Sequence, residues 1–307
     1  MDRRRLGRTG LQVSPLGFGG AEVGFLETDR KDVAVLLNRL LDEGVNLIDT
    51  AAGYAGSEEA IGAAVGHRRD DYVLVSKCGQ AFDDIEGEAW SASCISQTVE
   101  RALRRLRTDR LDVMLLHTCD LEVLQDGEAL GALVAARDAG KIRFLGYSGD
   151  NETVAYAAGL DEVAVIETSI NLCDQANIET VLPAAQQHEV GVLAKRPIAN
   201  AAWKAASERR GLYVDYAQSY EDRLKAMAIA PEDLGFGAGD WARLALRFTL
   251  SQPGVTSAIV GTTREASIAG NLAAVAEGPL PAETLEVLRG AFRRAEAASG
   301  ESWPGLR

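Results

Sequence analysis

The sequence is poor in residues that bind metals or cross membranes. It contains only three histidines, no two of them close along the chain, and four cysteines without a CxxC spacing. A metal site is therefore not expected, and a metal-dependent hydrolase is disfavoured. Cys78, Cys94, Cys119 and Cys173 are expected to be reduced thiols of a cytoplasmic protein. Apolar runs last only a handful of residues, well short of the roughly 20 that span a membrane.

Positive charge is also scarce. The chain has 32 Lys and Arg residues against 45 Asp and Glu, a net charge of −13, and it has no basic stripe. Nucleic acids and anionic membranes would be repelled, so neither is an expected partner. The start, Met1-Asp-Arg-Arg-Arg-Leu-Gly-Arg, is basic, but no apolar core and cleavage site follow it, and we do not expect a signal peptide. A small anionic ligand remains compatible with basic residues that cluster locally.

What the sequence does contain is a regular alternation of strand-like and helical segments. The strand-like runs are short, rich in β-branched residues and Leu, and not strictly alternating, as expected for strands covered on both faces. They are Val13–Phe18, Asn46–Asp49, Val73–Lys77, Leu111–His117, Phe144–Ser148, Val163–Glu167, Gly191–Lys195 and Ser257–Gly261. Apolar residues at helical spacing, such as Val33, Leu36, Leu37, Leu40 and Leu41, lie between them.

Eight such units predict a (β/α)8 TIM barrel built from residues 1–307 as one domain. An open doubly wound sheet is the alternative. It would usually carry a GxGxxG turn after its first strand, and Gly17-Phe-Gly-Gly-Ala-Glu lacks that spacing. Two segments fall outside the repeat. Residues 3–12 predict an amino-terminal β-hairpin that closes one barrel end, and residues 197–239 predict a long loop after strand seven, of the kind that often covers a binding site.

Six consecutive strands end on a polar or ionisable residue. These residues are Asp49, Lys77, His117, Ser148, Glu167 and Lys195. In a parallel barrel all carboxyl-terminal strand ends meet on one face, where the active site forms. A single polar residue at a strand end is most often an ordinary hydrogen-bonded group. Six in series are expected to converge in one cleft.

Tyr54 follows Asp49 by five residues and would stand over the same cleft. A free phenol has a pKa of about 10 and is a poor proton donor at neutral pH. The ammonium of Lys77 is expected to lower the pKa of Tyr54, and Asp49 is expected to pair with Lys77. His117 would donate a hydrogen bond to a substrate oxygen. This arrangement predicts a general acid for a carbonyl oxygen, and because no nucleophile is paired with a base, the carbonyl carbon needs an external reductant.

The loop after strand eight predicts a site for that reductant. Gly261-Thr-Thr-Arg264 precedes a helix, and the free N–H groups at a helix amino terminus bind phosphate. A simple N-cap would explain the threonines alone. Lys195-Arg196, at the end of strand seven, adds positive charge beside them, and barrels commonly bind phosphate in the loops after strands seven and eight. A nicotinamide dinucleotide is a reductant of matching size and charge.

The sequence resembles the aldo-keto reductase family over most of its length. The segments that carry the resemblance are Gly44-Val-Asn-Leu-Ile-Asp-Thr-Ala-Ala-Gly-Tyr54, Gly56-Ser-Glu-Glu59, Leu74-Val-Ser-Lys77, Asp112-Val-Met-Leu-Leu-His117, Gly140-Lys-Ile-Arg-Phe-Leu-Gly-Tyr-Ser148, Lys195-Arg-Pro-Ile-Ala199 and Gly261-Thr-Thr-Arg264 with Asn271. The resemblance implies a catalytic tetrad of Asp49, Tyr54, Lys77 and His117 with Tyr54 as proton donor. It also implies reversible reduction of an aldehyde or ketone, or oxidation of the matching alcohol or sugar, with NADPH or alternatively NADH.

The resemblance further implies a set of cofactor contacts. They are Gly20, Ser148, Glu167, Lys195, Arg196, Gly261, Thr262, Thr263, Arg264 and Asn271.

The chain departs from the family at four positions. Ser148 is followed by Gly149 where the family usually has Asn, and Glu167 stands where it usually has Gln. Lys195 replaces an aromatic residue that often stacks on the nicotinamide. Ser267 replaces a basic residue that often binds the 2′-phosphate of NADPH, a role that Arg264 or Arg196 would take instead.

A regulatory role is the alternative function. Some members of the family are nucleotide-sensing subunits of membrane channels, and such a protein would bind the cofactor tightly and turn over slowly. The complete set of Asp49, Tyr54, Lys77 and His117 favours an enzyme.

Overall fold

Eight parallel strands close into a barrel in which each strand pairs with the next one along the chain and the last pairs with the first. The computed structural model describes residues 1–26, 28–209, 213–262 and 264–306, without the side chains of residues 213–216 and Glu265. The barrel strands are β3 (Leu16–Gly19), β4 (Leu47–Asp49), β5 (Val73–Cys78), β6 (Leu111–His117), β7 (Ile142–Ser148), β8 (Val163–Ser169), β9 (Gly191–Lys195) and β10 (Val255–Val260), preceded by the hairpin strands β1 (Arg4–Arg5) and β2 (Gln12–Val13). The predicted (β/α)8 barrel with an amino-terminal hairpin is confirmed.

Helices surround the barrel and join successive strands. They are α1 (Ala21–Phe25), α2 (Arg30–Asp42), α3 (Ser57–Val65), α4 (Ala92–Leu106), α5 (Leu121–Asp126), α6 (Glu128–Asp138), α7 (Asn151–Ala158), α8 (Ala176–Thr180), α9 (Leu182–Gln187), α10 (Tyr213–Met227), α11 (Trp241–Leu250), α12 (Glu265–Ala276) and α13 (Ala282–Ser299). Local sequence explains their bounds. In α2 the Asp29 side chain accepts a hydrogen bond from the Lys31 N–H at the start, and Gly44, at φ +89°, lets the chain turn away after the end.

The barrel interior is apolar in its lower and middle layers. Alternate residues of the strands point inward and pack together. The inward residues include Leu47, Val73, Val75, Val113, Leu115, Val165, Leu193 and Ile259. Leu6, Leu11 and Val13 of the hairpin segment belong to the same cluster. Since Arg8 N–H donates to the Glu189 carbonyl just before β9, the hairpin covers the amino-terminal end of the barrel.

Several strand boundaries differ from the prediction. The predicted run Val13–Phe18 is divided between β2 and β3 at Ser14-Pro15, because Pro15 has no N–H for a sheet and the Ser14 hydroxyl donates 2.6 Å to the Leu16 carbonyl. Strands β5 and β8 continue past Lys77 and Glu167, since both still pair with neighbouring strands beyond those residues. Strand β10 ends before Gly261.

The predicted loop at residues 197–239 is wrong in one respect, because the segment contains secondary structure. It holds α10 and three short 3₁₀ helices, at Ala199–Ala201, Ala206–Glu208 and Pro231–Leu234. Helix α10 packs against α13, so the segment is anchored on the barrel's outer layer. Its position between β9 and α11 is as predicted, and it still stands beside the carboxyl-terminal mouth of the barrel.

Helices α3 and α4 approach each other closely at Gly62. A methyl group there would lie 2.3 Å from the Arg105 carbonyl oxygen and 2.7 Å from the Leu106 backbone. The position is buried in the middle of α3, the helix that begins three residues after Tyr54. Gly131, in the middle of α6, is exposed and would place a methyl group in open space.

We expect opposite effects from alanine at these two helical glycines. Gly62→Ala should lower the free energy of unfolding by about 1–3 kcal/mol, because backbone atoms have to shift to admit the methyl group. Gly131→Ala should raise it by about 0.5–1 kcal/mol, because alanine favours the helix. Urea unfolding of the two variants beside the wild type measures both values. Equal effects of the two substitutions would show that the α3–α4 approach does not constrain the packing.

Candidate active site at the barrel mouth

A layer of polar side chains lies directly above the apolar barrel interior. Each member stands two residues after an inward-facing residue of the same strand, which places it on the same inner face. The pairs include Leu47 and Asp49, Val75 and Lys77, Leu115 and His117, Val165 and Glu167, and Leu193 and Lys195. The structure therefore brings these strand ends together, as predicted. The barrel mouth is this polar layer.

Lys77 is the centre of the layer. Its side chain is wholly buried, and its Nζ donates to Asp49 Oδ1 at 2.6 Å, to Asp49 Oδ2 at 2.7 Å and to the Thr50 carbonyl at 3.1 Å. A second carboxylate, Glu167, places Oε2 at 3.3 Å from the same Nζ. The expected pairing of Asp49 with Lys77 is present, and Glu167 is a further partner that the sequence did not predict for this lysine.

Two carboxylates facing one ammonium shift the pKa values of the cluster. Burial acts to lower the pKa of Lys77, but the negative charges of Asp49 and Glu167 outweigh it and raise that pKa. Burial and the charge of Glu167 raise the pKa of Asp49, against the opposite effect of Lys77. Burial is the larger cause for Asp49, and the charges of the two carboxylates are the cause for Lys77. Lys77 is therefore an ammonium at neutral pH.

Tyr54 lies over this cluster. The centroid of its ring is 5.1 Å from Lys77 Nζ, and the ring meets the edge of the His117 ring with 5.9 Å between centroids. Phe25, at the end of α1, packs on its other side at 5.8 Å. The chain reaches this position through a turn in which Tyr54 N–H donates to the Ala51 carbonyl. Tyr54 is partly accessible to solvent.

The expectation of a lowered pKa for Tyr54 is wrong. Burial, the largest effect, raises the pKa of Tyr54 to about 12, and the carboxylates of Asp49 and Glu167 act in the same direction. Lys77 does lower it, by its charge and by a hydrogen bond to the side chain, but not enough to reverse the shift. The phenol therefore keeps its proton throughout the neutral range.

His117 is neutral in the same range. Burial lowers the pKa of His117 to about 3, and the positive charges of Lys77 and Lys195 add to that effect. A neutral imidazole can donate one hydrogen bond into the mouth without carrying charge. This matches the predicted role of orienting an oxygen.

Two further predicted residues complete the mouth on the far side. Ser148 Oγ lies 3.3 Å from Glu167 Oε1, and Lys195 Nζ lies 2.9 Å from Asp150 Oδ2. Asp150 is itself fixed, since its Oδ1 accepts hydrogen bonds from the Ser169 N–H at 2.8 Å and from a Thr168 hydroxyl. Burial acts to raise the pKa of Asp150, but the charge of Lys195 and these hydrogen bonds hold it below its ordinary value. Sequence reasoning did not identify Asp150.

A cleft of about 590 Å³ opens beside the mouth, between the segment after β9 and the loop after β10. It is lined by five of the predicted ligand-binding residues, namely Arg196, Gly261, Thr262, Arg264 and Asn271. Five cationic side chains face it, Arg196, Lys204, Arg209, Arg243 and Arg264, against three anionic ones, Glu22, Glu208 and Asp240. In a chain of net charge −13, this local excess of positive charge fits an anionic ligand.

The predicted residues differ in how free they are to bind a ligand. Arg196 donates to the Leu306 carbonyl and lies 3.4 Å from Ser169 Oγ, so much of its guanidinium is used to hold the carboxyl-terminal tail. Arg264 is exposed, and the carboxylate of Glu22 lies near its guanidinium. Gly20 is not among the residues that line the cleft; its carbonyl accepts a hydrogen bond from Ser57. Thr263 lies outside the described residues.

Several lining residues of the cleft were not predicted from the sequence. Arg209 is buried, and its Nη2 donates to the Ala202 and Lys204 carbonyls and pairs with Glu221 Oε2 at 2.6 Å, while its Nε and Nη1 have no acceptor among the described residues. The amide nitrogen of Asn200 is likewise unpaired within the described part of the chain. Glu22 faces the cleft from the first turn of α1. Nothing in the spacing of the sequence distinguishes these residues, because they come from the long segment and a short helix.

The described residues offer neither of two other kinds of site. Within the described ranges, no group of three or more His, Cys, Asp or Glu side chains is arranged to hold a metal ion. No helix in the described part of the chain is both long and apolar enough to cross a bilayer.

Comparisons with known proteins give a consistent result. The model of the Aldo/keto reductase family matches residues 15–291. An L-galactose dehydrogenase from Arabidopsis thaliana is 26% identical over 99% of this chain and 97% of its own length. A protein from the same plant named "Probable voltage-gated potassium channel subunit beta" is 28% identical over 91% and 93% of the two chains.

A solved structure agrees with these matches. The holo form of aldo-keto reductase AKR11C1 from Bacillus halodurans superimposes with a TM-score of 0.81 at 27% identity, covering 95% of this chain and 96% of that one. The family match over nearly the whole chain, together with the closed barrel and its polar mouth, shows that the chain belongs to the aldo-keto reductase family of oxidoreductases.

Proposed function

We propose that the chain is an NADP-dependent enzyme that reduces an aldehyde or ketone, or oxidises the corresponding alcohol or sugar. The observation that carries this proposal is the Tyr54 phenol held over a buried ammonium, with Lys77 Nζ at 5.1 Å from the ring centroid and at 2.6 Å from Asp49. A sugar is a reasonable substrate class, since one relative is an L-galactose dehydrogenase. The NAD form of the cofactor is the alternative.

The residues of the cleft and the mouth fit a dinucleotide. The cleft has an excess of cationic side chains and unpaired donors on Arg209 and Asn200, as a ligand with phosphates and hydroxyl groups requires. Helix α12 starts at this cleft, and no side chain in the described part of the chain caps its amino terminus. The Ser267 N–H donates to the Arg264 carbonyl, and the earlier N–H groups of the first turn would bind phosphate. Ser148, Glu167 and Lys195 are polar groups at the mouth that would hold the nicotinamide end. When bound, the cofactor supplies the hydride for the carbonyl carbon.

Each residue of the tetrad has a separate task in the proposed reaction. Tyr54 donates its proton to the carbonyl oxygen as negative charge develops there, and takes a proton back in the oxidation direction. Lys77 stabilises the phenolate that remains, and Asp49 holds Lys77 charged and in place. His117 donates a hydrogen bond to the same oxygen and so orients the substrate.

The alternative of a regulatory subunit stays open to experiment. A relative carries the name of a potassium channel subunit, and that name describes the relative. Turnover separates the two functions. A panel of aldehydes, ketones and sugars followed by the absorbance of the reduced nicotinamide should show catalysis, whereas tight cofactor binding with no turnover on any substrate would favour the regulatory role.

Replacing the proposed proton donor should abolish most of the turnover. We expect Tyr54→Phe to lower kcat by roughly 100-fold or more, as loss of a general acid does, with the cofactor Kd changed little. Tyr156→Phe is the matched control, because Tyr156 is exposed on α7 and should leave kcat unchanged. Steady-state kinetics and a fluorescence titration measure the two quantities. Unchanged kcat in Tyr54→Phe would remove this residue from the mechanism.

The two reaction directions should respond differently to pH. Because burial raises the pKa of Tyr54 to about 12, the protonated phenol required for reduction is present throughout the neutral and mildly alkaline range, and the reduction rate should be flat. Oxidation requires the phenolate. At pH values below that pKa, the phenolate fraction increases about tenfold for each unit by which the pH rises, so the logarithm of the oxidation rate should rise with pH with a slope of about one. Initial rates in both directions provide the test. An inflection near the ordinary histidine pKa would instead mean that His117 titrates, contrary to its lowered pKa of about 3.

Arg264 is the residue best placed to select NADPH. Its side chain is exposed at the cleft, whereas Arg196 holds the carboxyl-terminal tail. We expect Arg264→Gln to weaken NADPH binding by about tenfold, the effect of losing one charge-assisted contact, and NADH binding by less than about twofold. Arg264→Lys keeps the charge and should retain most of the selectivity. Calorimetric Kd values for both cofactors are the measurement. Equal loss for NADPH and NADH would assign Arg264 to the shared phosphates instead.

A further inference from the structure

The mouth of the barrel contains an unbalanced buried charge. Its central ionisable side chains are almost completely inaccessible, with Lys77 at 0%, Glu167 at 2% and Asp49 at 3% exposure. One ammonium faces two carboxylates, and it lies closer to one of them than to the other. Asp49 holds Nζ with both oxygens at 2.6 and 2.7 Å, whereas Glu167 is at 3.3 Å. The negative charge that Lys77 does not neutralise therefore lies on the Glu167 side.

The other neighbours of Glu167 do not cancel this charge. Its Oε1 is 3.3 Å from a neutral hydroxyl, Ser148 Oγ. Lys195 pairs with Asp150 at 2.9 Å, and so its ammonium is committed to another carboxylate. Among the described residues, Glu167 Oε2 accepts no hydrogen bond beyond its long ion-pair contact with Lys77.

The position of Glu167 relates this charge to the ligand of the proposed function. The cleft opens on the side of β9 and β10, while Tyr54 and His117 stand over β4 and β6. A ligand that is anchored in the cleft and reacts beside Tyr54 has to enter the polar layer. Glu167, on β8, belongs to that layer and lies close to Tyr54, because Lys77 Nζ is 3.3 Å from Glu167 Oε2 and 5.1 Å from the centroid of the Tyr54 ring.

We propose, on the basis of the proposed function, that Glu167 stabilises the positive charge of the oxidised nicotinamide ring and makes the protein bind the oxidised cofactor in preference to the reduced one. The reduced ring is neutral and the oxidised ring is a cation, so an uncompensated carboxylate distinguishes them by charge alone. In the reduction direction the hydride and its electron pair pass from the reduced ring to the carbonyl carbon, and the Tyr54 proton goes to the carbonyl oxygen. Glu167 favours this step, because the ring becomes positive as the hydride departs.

The test compares the affinities of the purified protein for oxidised and reduced NADP by calorimetry. The measured quantity is the ratio of the Kd of the reduced form to that of the oxidised form. We expect Glu167→Gln to lower this ratio by roughly tenfold relative to the wild type, because it removes the charge and keeps the shape. Glu167→Ala removes the same charge without a carboxamide, and the same fall is expected. Glu167→Asp keeps the charge and should keep the ratio within about twofold of the wild-type value.

Glu58→Gln is the matched control for loss of a buried carboxylate. Glu58 is 1% exposed and accepts a hydrogen bond from Ser76, whose side chain lies outside the barrel wall, so the ratio should not change. The same ratio in the wild type and in both neutral variants would overturn the inference while leaving the proposed function intact. An equal fall in Glu167→Asp would overturn it as well, since shape rather than charge would then be responsible. Failure of the wild type to bind either form would overturn the proposed function, and the inference with it.

Discussion

The buried ammonium of Lys77 is the constraint on which the rest of the mouth depends. A charge with no exposed surface would cost several kcal/mol if it had no partner, so the fold has to bring acceptors to it. Those acceptors come from two strands, Asp49 on β4 and Glu167 on β8, with the Thr50 carbonyl beside them. Their meeting requires that the strands be in register and that the barrel be closed. The same barrel geometry that builds the apolar interior therefore positions the polar layer above it.

The acidity of Tyr54 is a balance between two large effects of the same environment. Burial and the carboxylates make the phenolate unfavourable, and Lys77 makes it favourable. The result is a phenol that does not ionise on its own at neutral pH. His117, kept neutral by burial and by two lysines, can contribute a hydrogen bond without adding a third positive charge to the site.

The layer of polar residues could be predicted from the sequence because strands have a period of two. Asp49, Lys77 and His117 each follow an inward apolar residue by two positions, and this regularity is visible in the order of the residues alone. The cleft could not be predicted in the same way. Arg196 is held by the Leu306 carbonyl, a contact between residues 110 apart, and Arg209 reaches the cleft from a folded segment that the sequence presents as a loop. Contacts of that range depend on packing rather than on spacing. The contact of Glu167 with Lys77 could not be predicted for a related reason, because the charge of Glu167 depends on its distances to two residues of different strands.

The two parts of the site carry opposite charge, and this gives the site a direction. The cleft presents more cationic than anionic side chains, and the mouth presents two carboxylates to one ammonium. A ligand with an anionic end and an end that becomes cationic would be drawn into one orientation by these fields alone. The chain as a whole carries a net negative charge. The charge of the cleft is opposite in sign to that of the chain, and the charge of the mouth has the same sign. Orientation, proton delivery and stabilisation of the ring charge would then rest on one arrangement of a few buried charges, rather than on three separate devices.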